Sequence, residues 1–130
     1  MFTCMNLLIM DDAISIRERI VELLSEVPGI EKIYESGDAA SAVTVLAEHQ
    51  PDSVILDIQV PPAPGLRNGI DVLRVVKKHY PSTGVIMLTN FANPFYQEEC
   101  KRLGADYFFD KSSEFDKLPE AVAQLMNRGT

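Results

Sequence analysis

The sequence predicts an α/β fold: a doubly wound sheet of five parallel strands in (βα)5 order. Three observations carry this expectation. Five short runs rich in apolar, β-branched or aromatic residues alternate with segments whose apolar residues recur at helical spacing. The middle run, SVILD at 53–57, is almost wholly apolar before its carboxylate, as a strand covered by helices on both faces should be. Short strands joined by helical crossovers then leave a parallel, two-faced sheet as the arrangement.

The elements follow in order. MNLLIM at 5–10 is the first strand and runs into Asp11-Asp12. Ile14, Ile20, Val21, Leu23, Leu24 and Val27 recur with helical spacing until Pro28-Gly29 stops the first helix. The second strand, 30–35, leads to Asp38 as N-cap, and Ala39, Ala42, Val43 and Leu46 line one helix face that ends at His49-Gln50-Pro51. After the third strand, Pro61, Pro62, Pro64 and Gly65 require a loop. Past Asn68-Gly69, Ile70, Val72, Leu73, Val75 and Val76 give a third helix closed by Pro81. GVIMLT at 84–89 is the fourth strand, followed by a more polar helix over about 93–103 and Gly104. DYFF at 106–109 is the fifth strand, ending at Asp110-Lys111. A last helix carries Leu118, Ala121, Val122, Leu125 and Met126, with Ser113 or Asp116 as cap and Pro119 in the first turn, where its missing N–H costs little.

A chain of 130 residues fits a single domain over 1–130. Hydrophobic residues at 46% and charged residues at 24% are globular values and argue against disorder. Twelve Lys and Arg against nineteen Asp and Glu give a net charge of −7, which disfavours direct nucleic-acid binding and favours cations or a basic protein surface. Cys4 and Cys100 have no metal-ligand spacing and read as two buried or half-buried thiols in a reducing cytoplasm. No apolar run reaches the ~18 residues of a membrane span. The apolar start, 1–10, lacks a basic segment and a cleavage site, so it reads as strand and not as a signal peptide.

In an open α/β sheet, ligands bind beyond the carboxyl ends of the strands. Those ends carry Asp11-Asp12, Asp57, Thr89-Asn90 and Asp110-Lys111. Any one of these is commonly a helix cap or a solvated loop residue, but together they cannot all be caps. Clustered carboxylates repel one another unless a cation screens them. An oxygen-rich set suits Mg²⁺, which is usually held by one or two carboxylates and phosphate oxygens. Such an ion neutralises charge on an incoming phosphoryl group, while Lys111 and the Thr89 hydroxyl can hold its other oxygens. Asp57 stands alone at the central strand and is the expected nucleophile; the Asp11-Asp12 pair is better placed to hold metal.

LLIMDD near the start, SVILD, NGIDVL, VIMLTN and GADYFFDKS, in that order and spacing, resemble response regulator receiver domains over essentially the whole chain. The resemblance implies a flavodoxin-like sheet in the strand order 2-1-3-4-5. It implies that Asp57 accepts a phosphoryl group from a sensor histidine kinase or a histidine phosphotransfer protein. Asp12, Asp57 and the backbone carbonyl of Gln59 would hold Mg²⁺ directly, with Asp11 acting mainly through water. Thr89 and Phe108 occupy the family's switch positions, and Lys111 that of the phosphate-pairing lysine. The output surface would be the face of the fourth helix, fifth strand and fifth helix, here including Phe95, Tyr96, Cys100, Arg102, Lys117 and Glu120.

Four positions depart from the family pattern. Ser112 follows Lys111 where proline is common, and a non-proline cis bond costs ~2.5–4 kcal/mol, so a trans bond is expected. Phe108 cannot make the hydrogen bond of a tyrosine. Asn90, larger than the usual residue after the switch threonine, would tune access to Asp57. The loop from Asp57 to Gly69 is longer than usual by about four residues, an insertion of small entropic cost. A sharper expectation makes residues 62–67 a partner contact or partial lid, with Arg67 near the incoming phosphate.

The expected function is thus a phospho-accepting switch, with autophosphorylation and autodephosphorylation but no catalytic turnover. It would lie in the cytoplasm and stand alone, or form a piece of a longer regulator, and a phosphorylation-dependent homodimer stays open. One alternative is an unphosphorylated pseudo-receiver that acts as an interaction module. The other, an aspartyl-phosphate phosphatase, is disfavoured because Gln59 stands where a general acid is needed.

Overall fold

The computed structural model describes residues 4–128, so the first three residues of the apolar start and the last two of the chain lie outside it. Five strands form one parallel sheet in the order β2-β1-β3-β4-β5. They are β1 Met5–Met10, β2 Ile30–Ser36, β3 Ser53–Leu56, β4 Gly84–Thr89 and β5 Tyr107–Asp110. Helices α1 Ile14–Leu24, α2 Ala39–His49, α3 Gly69–His79, α4 Pro94–Arg102 and α5 Leu118–Arg128 connect and cover them. The expected fold and strand order are both present.

Alternation along the strands divides the core in two. Leu8, Met10, Val54, Leu56, Val85 and Met87 face α2, α3 and Cys100 of α4. Leu7, Ile9, Ile55, Ile86 and Leu88 face Ile20 and Leu24 of α1 and the apolar side of α5. Successive residues of β1, β3 and β4 are buried on opposite faces, which is why these strands read as continuous apolar runs.

Element ends depart from the sequence reading for local reasons. α1 stops at Leu24, short of Val27, because the Ser25 hydroxyl donates to the Glu22 carbonyl (2.6 Å) and competes with the next turn. Val27 still packs on the core, so its helical spacing reported burial and not helix. β2 extends to Ser36, which is buried and pairs with Met10. β3 ends at Leu56, which leaves Asp57 just beyond it. β5 begins at Tyr107 because the Asp106 carboxylate, not a backbone carbonyl, accepts from the Val85 amide (2.9 Å). Asp38 caps α2 as expected, through the Ser41 amide. Neither Ser113 nor Asp116 caps the last helix: a 3-10 turn over Phe115–Lys117 leads directly into α5, with Pro119 in its first turn.

Both cysteines are free, but Cys4 is exposed, against expectation. Cys100 is fully buried, so it does not belong to the output surface, and burial pushes its thiol up to about 11. No helix among the described residues is long and apolar enough to cross a membrane.

Candidate functional site

The carboxyl ends of β1, β3, β4 and β5 converge on one cleft of about 640 Å³. Asp11 leaves β1 with its amide donating to the Ser36 carbonyl (3.0 Å). Its Oδ1 accepts from the Ala13 amide at 2.9 Å, replacing the side-chain cap that Ala13 cannot give to α1. Asp57 donates its amide to the Met10 carbonyl (3.0 Å), which fixes it beside Asp11. Lys111 stands between the two: its Nζ lies 2.5 Å from Asp11 Oδ2 and 2.7 Å from Asp57 Oδ2. Asp12, on the exposed side of the turn, completes a set in which one oxygen from each of Asp11, Asp12 and Asp57 lies within 4.8 Å of the others.

Burial raises the Asp57 pKa above 3.8. Lys111 opposes the rise and the negative charge of Asp11 adds to it, with the Thr89 hydroxyl exerting a small downward pull from outside normal hydrogen-bond geometry. For Lys111, burial favours the neutral amine, but the two carboxylates more than reverse this and leave its pKa raised. One ammonium thus faces three carboxylates. Asp57 Oδ1 is buried with no hydrogen-bond partner, and such an acceptor is costly unless a donor or cation reaches it. An all-oxygen donor set with one orphaned buried oxygen fits a hard divalent cation such as Mg²⁺.

The other candidate residues lie around this centre. Thr89 is fully buried at the end of β4, and its hydroxyl accepts from the Phe91 amide (3.1 Å). Gln59 and Asn90 are exposed and line the cleft. Phe108 does not line it: the ring is half-buried against the core on the α4 side. No cis peptide occurs among the described residues, so the Lys111–Ser112 bond is trans. Ser112 instead closes a turn, its amide and hydroxyl both donating to Asp110 Oδ1 (2.8 and 2.6 Å).

Three participants escaped the sequence reading. Phe91 forms part of the cleft wall and meets Tyr96 edge-on. Arg17 donates to the Asp11 carbonyl. Gly69 lies against the backbone of Asp57. Only the glycine had a visible cue, the Asn-Gly pair ending a loop.

The long loop after Asp57 is ordered by its own chemistry. Ala63 and Leu66 exchange backbone hydrogen bonds (2.9 and 2.8 Å) around Pro64-Gly65, where Gly65 takes φ 78°, a conformation that favours glycine. Leu66 packs on the core. Arg67 is not among the residues that line the cleft: its backbone amide and Nε donate to Asp71 Oδ2 at 2.9 and 3.0 Å. The expected Arg67 contact with phosphate is therefore replaced by a clamp onto α3, made possible by i, i+4 spacing. Arg74 joins the same carboxylate (2.8 Å) and reaches Glu99 on α4 (2.9 Å).

The Arg67 guanidinium, against opposition from burial, is the main cause holding the Asp71 carboxyl down to about 2. A folded-state pKa below the ordinary 3.8 means that the clamp stabilises the fold above pH 3.8 and loses this contribution as pH falls toward 2. A carbon-13 NMR titration should place the Asp71 midpoint near 2; a midpoint at 3.8 or above would contradict the clamp.

The response regulator receiver domain family matches residues 7–123, and the chain belongs to it. It is 30% identical to the chemotaxis protein CheY of Bacillus subtilis over 94% of this chain and 98% of that one. It is 27% identical to the transcriptional regulatory protein DegU of Brevibacillus brevis over 95% of this chain, but it spans only 51% of DegU. The isolated receiver domain of RcsB from Salmonella enterica serovar Typhimurium, solved with the phosphomimetic BeF3⁻, superposes with a TM-score of 0.88 at 25% identity, covering 95% of this chain and 89% of that one. The chain is accordingly a receiver of two-component signal transduction. Receiver domains are in general phosphoacceptors rather than turnover enzymes, and they work with histidine kinases and downstream effectors.

Proposed function

We propose that the chain acts as a single receiver domain over residues 1–130. In this reading a sensor histidine kinase or histidine phosphotransfer protein passes a phosphoryl group to Asp57 in the cytoplasm, with Mg²⁺ bound. The observation that carries it is the state of the Asp57 carboxylate. One oxygen is held by Lys111, the other is buried without a partner, and the group sits in an open cleft of like charges.

A phosphohistidine donor would lose its P–N bond as a P–O bond forms to Asp57, the electron pair returning to the imidazole. Asp11, Asp12, Asp57 and the Gln59 carbonyl would hold the cation, which when bound offsets negative charge on the transferring group. Lys111 orients the carboxylate and then pairs with the new phosphoryl oxygens. Asn90, exposed at the mouth, tunes access and hydrolysis.

Phosphorylation adds charge and acceptor oxygens at Asp57. The Thr89 hydroxyl accepts from the Phe91 amide and still has its proton to donate. Drawing Thr89 to the phosphoryl group therefore pulls the β4–α4 connection with it. Phe108 would respond by repacking, and the α4–β5–α5 face would carry the change to a downstream protein or to a second copy. A shift from 1:99 to 99:1 needs ~5.5 kcal/mol of differential interaction, within reach of a few charge-assisted bonds.

Intact-mass spectrometry after incubation with Mg²⁺ and a small phosphodonor tests the proposal. One phosphoryl increment is expected, lost when a chelator removes the metal. No increment with either a small donor or a phosphohistidine protein would leave the pseudo-receiver reading in its place.

A further inference from the structure

Arg17 lies on α1, outside the group of residues that line the cleft, yet two hydrogen bonds and a space left at Gly37 fix its guanidinium at the base of the site. Nη1 donates to the backbone carbonyl of Asp11 at 2.5 Å. Nε donates to Glu35 on β2 at 3.1 Å. Gly37 leaves the space: a Cβ there would stand 3.3 Å from Nη1, so the missing side chain makes room for the guanidinium. The Arg17 side chain is only 15% exposed, low for a residue whose long charged group normally extends into water.

The Asp11 carbonyl belongs to the peptide that links Asp11 to Asp12, so its direction sets the path by which the chain leaves β1. Asp11 itself is well fixed, with Oδ1 on the Ala13 amide, Oδ2 on Lys111 and its own amide on the Ser36 carbonyl. Among the described residues the side chain of Asp12 finds no hydrogen-bond or ion-pair partner, and it projects from an exposed turn. What aims Asp12 is the orientation of the peptide before it, and the contact that sets this orientation is the one from Arg17.

We infer that Arg17, braced by Glu35 and accommodated by Gly37, is a positioning residue that orients the Asp11–Asp12 peptide for cation binding. The inference rests on the proposed metal role of the cleft and adds to it a residue that does not touch the ion. Groups that orient metal ligands from behind typically contribute a factor of ~10–100 in affinity.

The test is a Mg²⁺ titration of the full chain followed by amide NMR, beside the thermal melting of each metal-free protein. Arg17→Ala should bind Mg²⁺ about tenfold more weakly than the parent. Arg17→Lys, which keeps one donor but loses the fork, should fall between them. Gly37→Ala, which crowds the guanidinium without removing it, should weaken Mg²⁺ binding a few-fold, and it keeps the test open should Arg17→Ala fold poorly. A purely structural role would lower the melting temperature and leave the Mg²⁺ isotherm within twofold of the parent, and that result overturns the inference alone. A parent whose spectrum does not respond to Mg²⁺ overturns the metal reading and the inference with it.

Discussion

Replacing Asp57 with asparagine should abolish phosphoryl uptake and, in metal-free buffer, raise the melting temperature. The first effect is a loss of the acceptor: no other carboxylate in the cleft is both paired with Lys111 and left with a buried, unpartnered oxygen. The second follows from the direction of the Asp57 pKa. Burial first, with the Asp11 charge adding to it, disfavours the ionised form, so the folded-state pKa lies above 3.8. A raised carboxyl pKa means that the folded chain binds protons more readily than the unfolded chain, and stability falls as pH climbs through that window. Removing the charge should therefore stabilise the fold near neutrality, with the melting temperature rising ~3–5 °C for each kcal/mol gained in a chain this size. The gain should vanish below pH 3.8, where the aspartate is protonated in both states. A melting temperature equal to or below the parent's at pH 7 would contradict the account. The Lys111 ammonium remains paired with Asp11 in the variant, so the substitution leaves no unpaired buried charge.

The largest loss of stability is expected from Gly69→Ala. In a helix, alanine is ordinarily better than glycine by about 1 kcal/mol, so propensity alone predicts a gain. Geometry predicts the reverse. A Cβ at position 69 would lie 1.8 Å from the Asp57 carbonyl oxygen and 2.8 Å from its carbon, and both are backbone atoms that cannot rotate away. The approach is held by the hydrogen bond from the Gly69 amide to the Ile58 carbonyl (2.7 Å) and by Asn68, whose side chain accepts from the Ile70 and Asp71 amides. Relieving the overlap means moving the start of α3 away from the end of β3. A cost at or above the upper end of overpacking, about 3 kcal/mol, is expected, corresponding to a melting temperature lower by ~10 °C. Because the displaced atoms belong to Asp57, phosphoryl uptake should fall too. Thermal unfolding decides the sign at once: a variant as stable as the parent would mean that the α3 start is not held where the structure puts it.

Which features were legible depended on how local their causes are. β1, β3 and β4 announced themselves because burial on both faces leaves no polar alternation. Asp11, Asp12, Asp57, Thr89 and Lys111 were visible as polar residues closing apolar runs, since a strand that ends polar in a covered sheet must place that group at the rim. Arg17 was not visible, because its partners come from three separate places in the chain, Asp11, Glu35 and Gly37. Phe91 lies between the fourth strand and the fourth helix, in no pattern that marks it. Arg67 was drawn toward phosphate by its charge and its nearness to Asp57 in sequence. The competing carboxylate one helical turn away holds it instead, accepting from both its backbone amide and Nε. Residues 106 and 113–116 were misread for a similar reason: the side chains of Asp106 and Glu114 take on bonds usually made by backbone carbonyls, so their elements begin elsewhere.

The Pro64-Gly65 turn has a consequence for how such a chain can diversify. Ala63 and Leu66 close the turn on themselves, while Arg67 and Asn68 tie the exit of the loop to α3. The tip is thereby insulated from the peptide of Asp57. Lengthening or recolouring a closed surface loop costs little beyond its entropy of closure. Mutation can therefore explore new recognition surfaces at this tip, beside the cleft, without touching the hydrogen bonds that hold Asp57 in place.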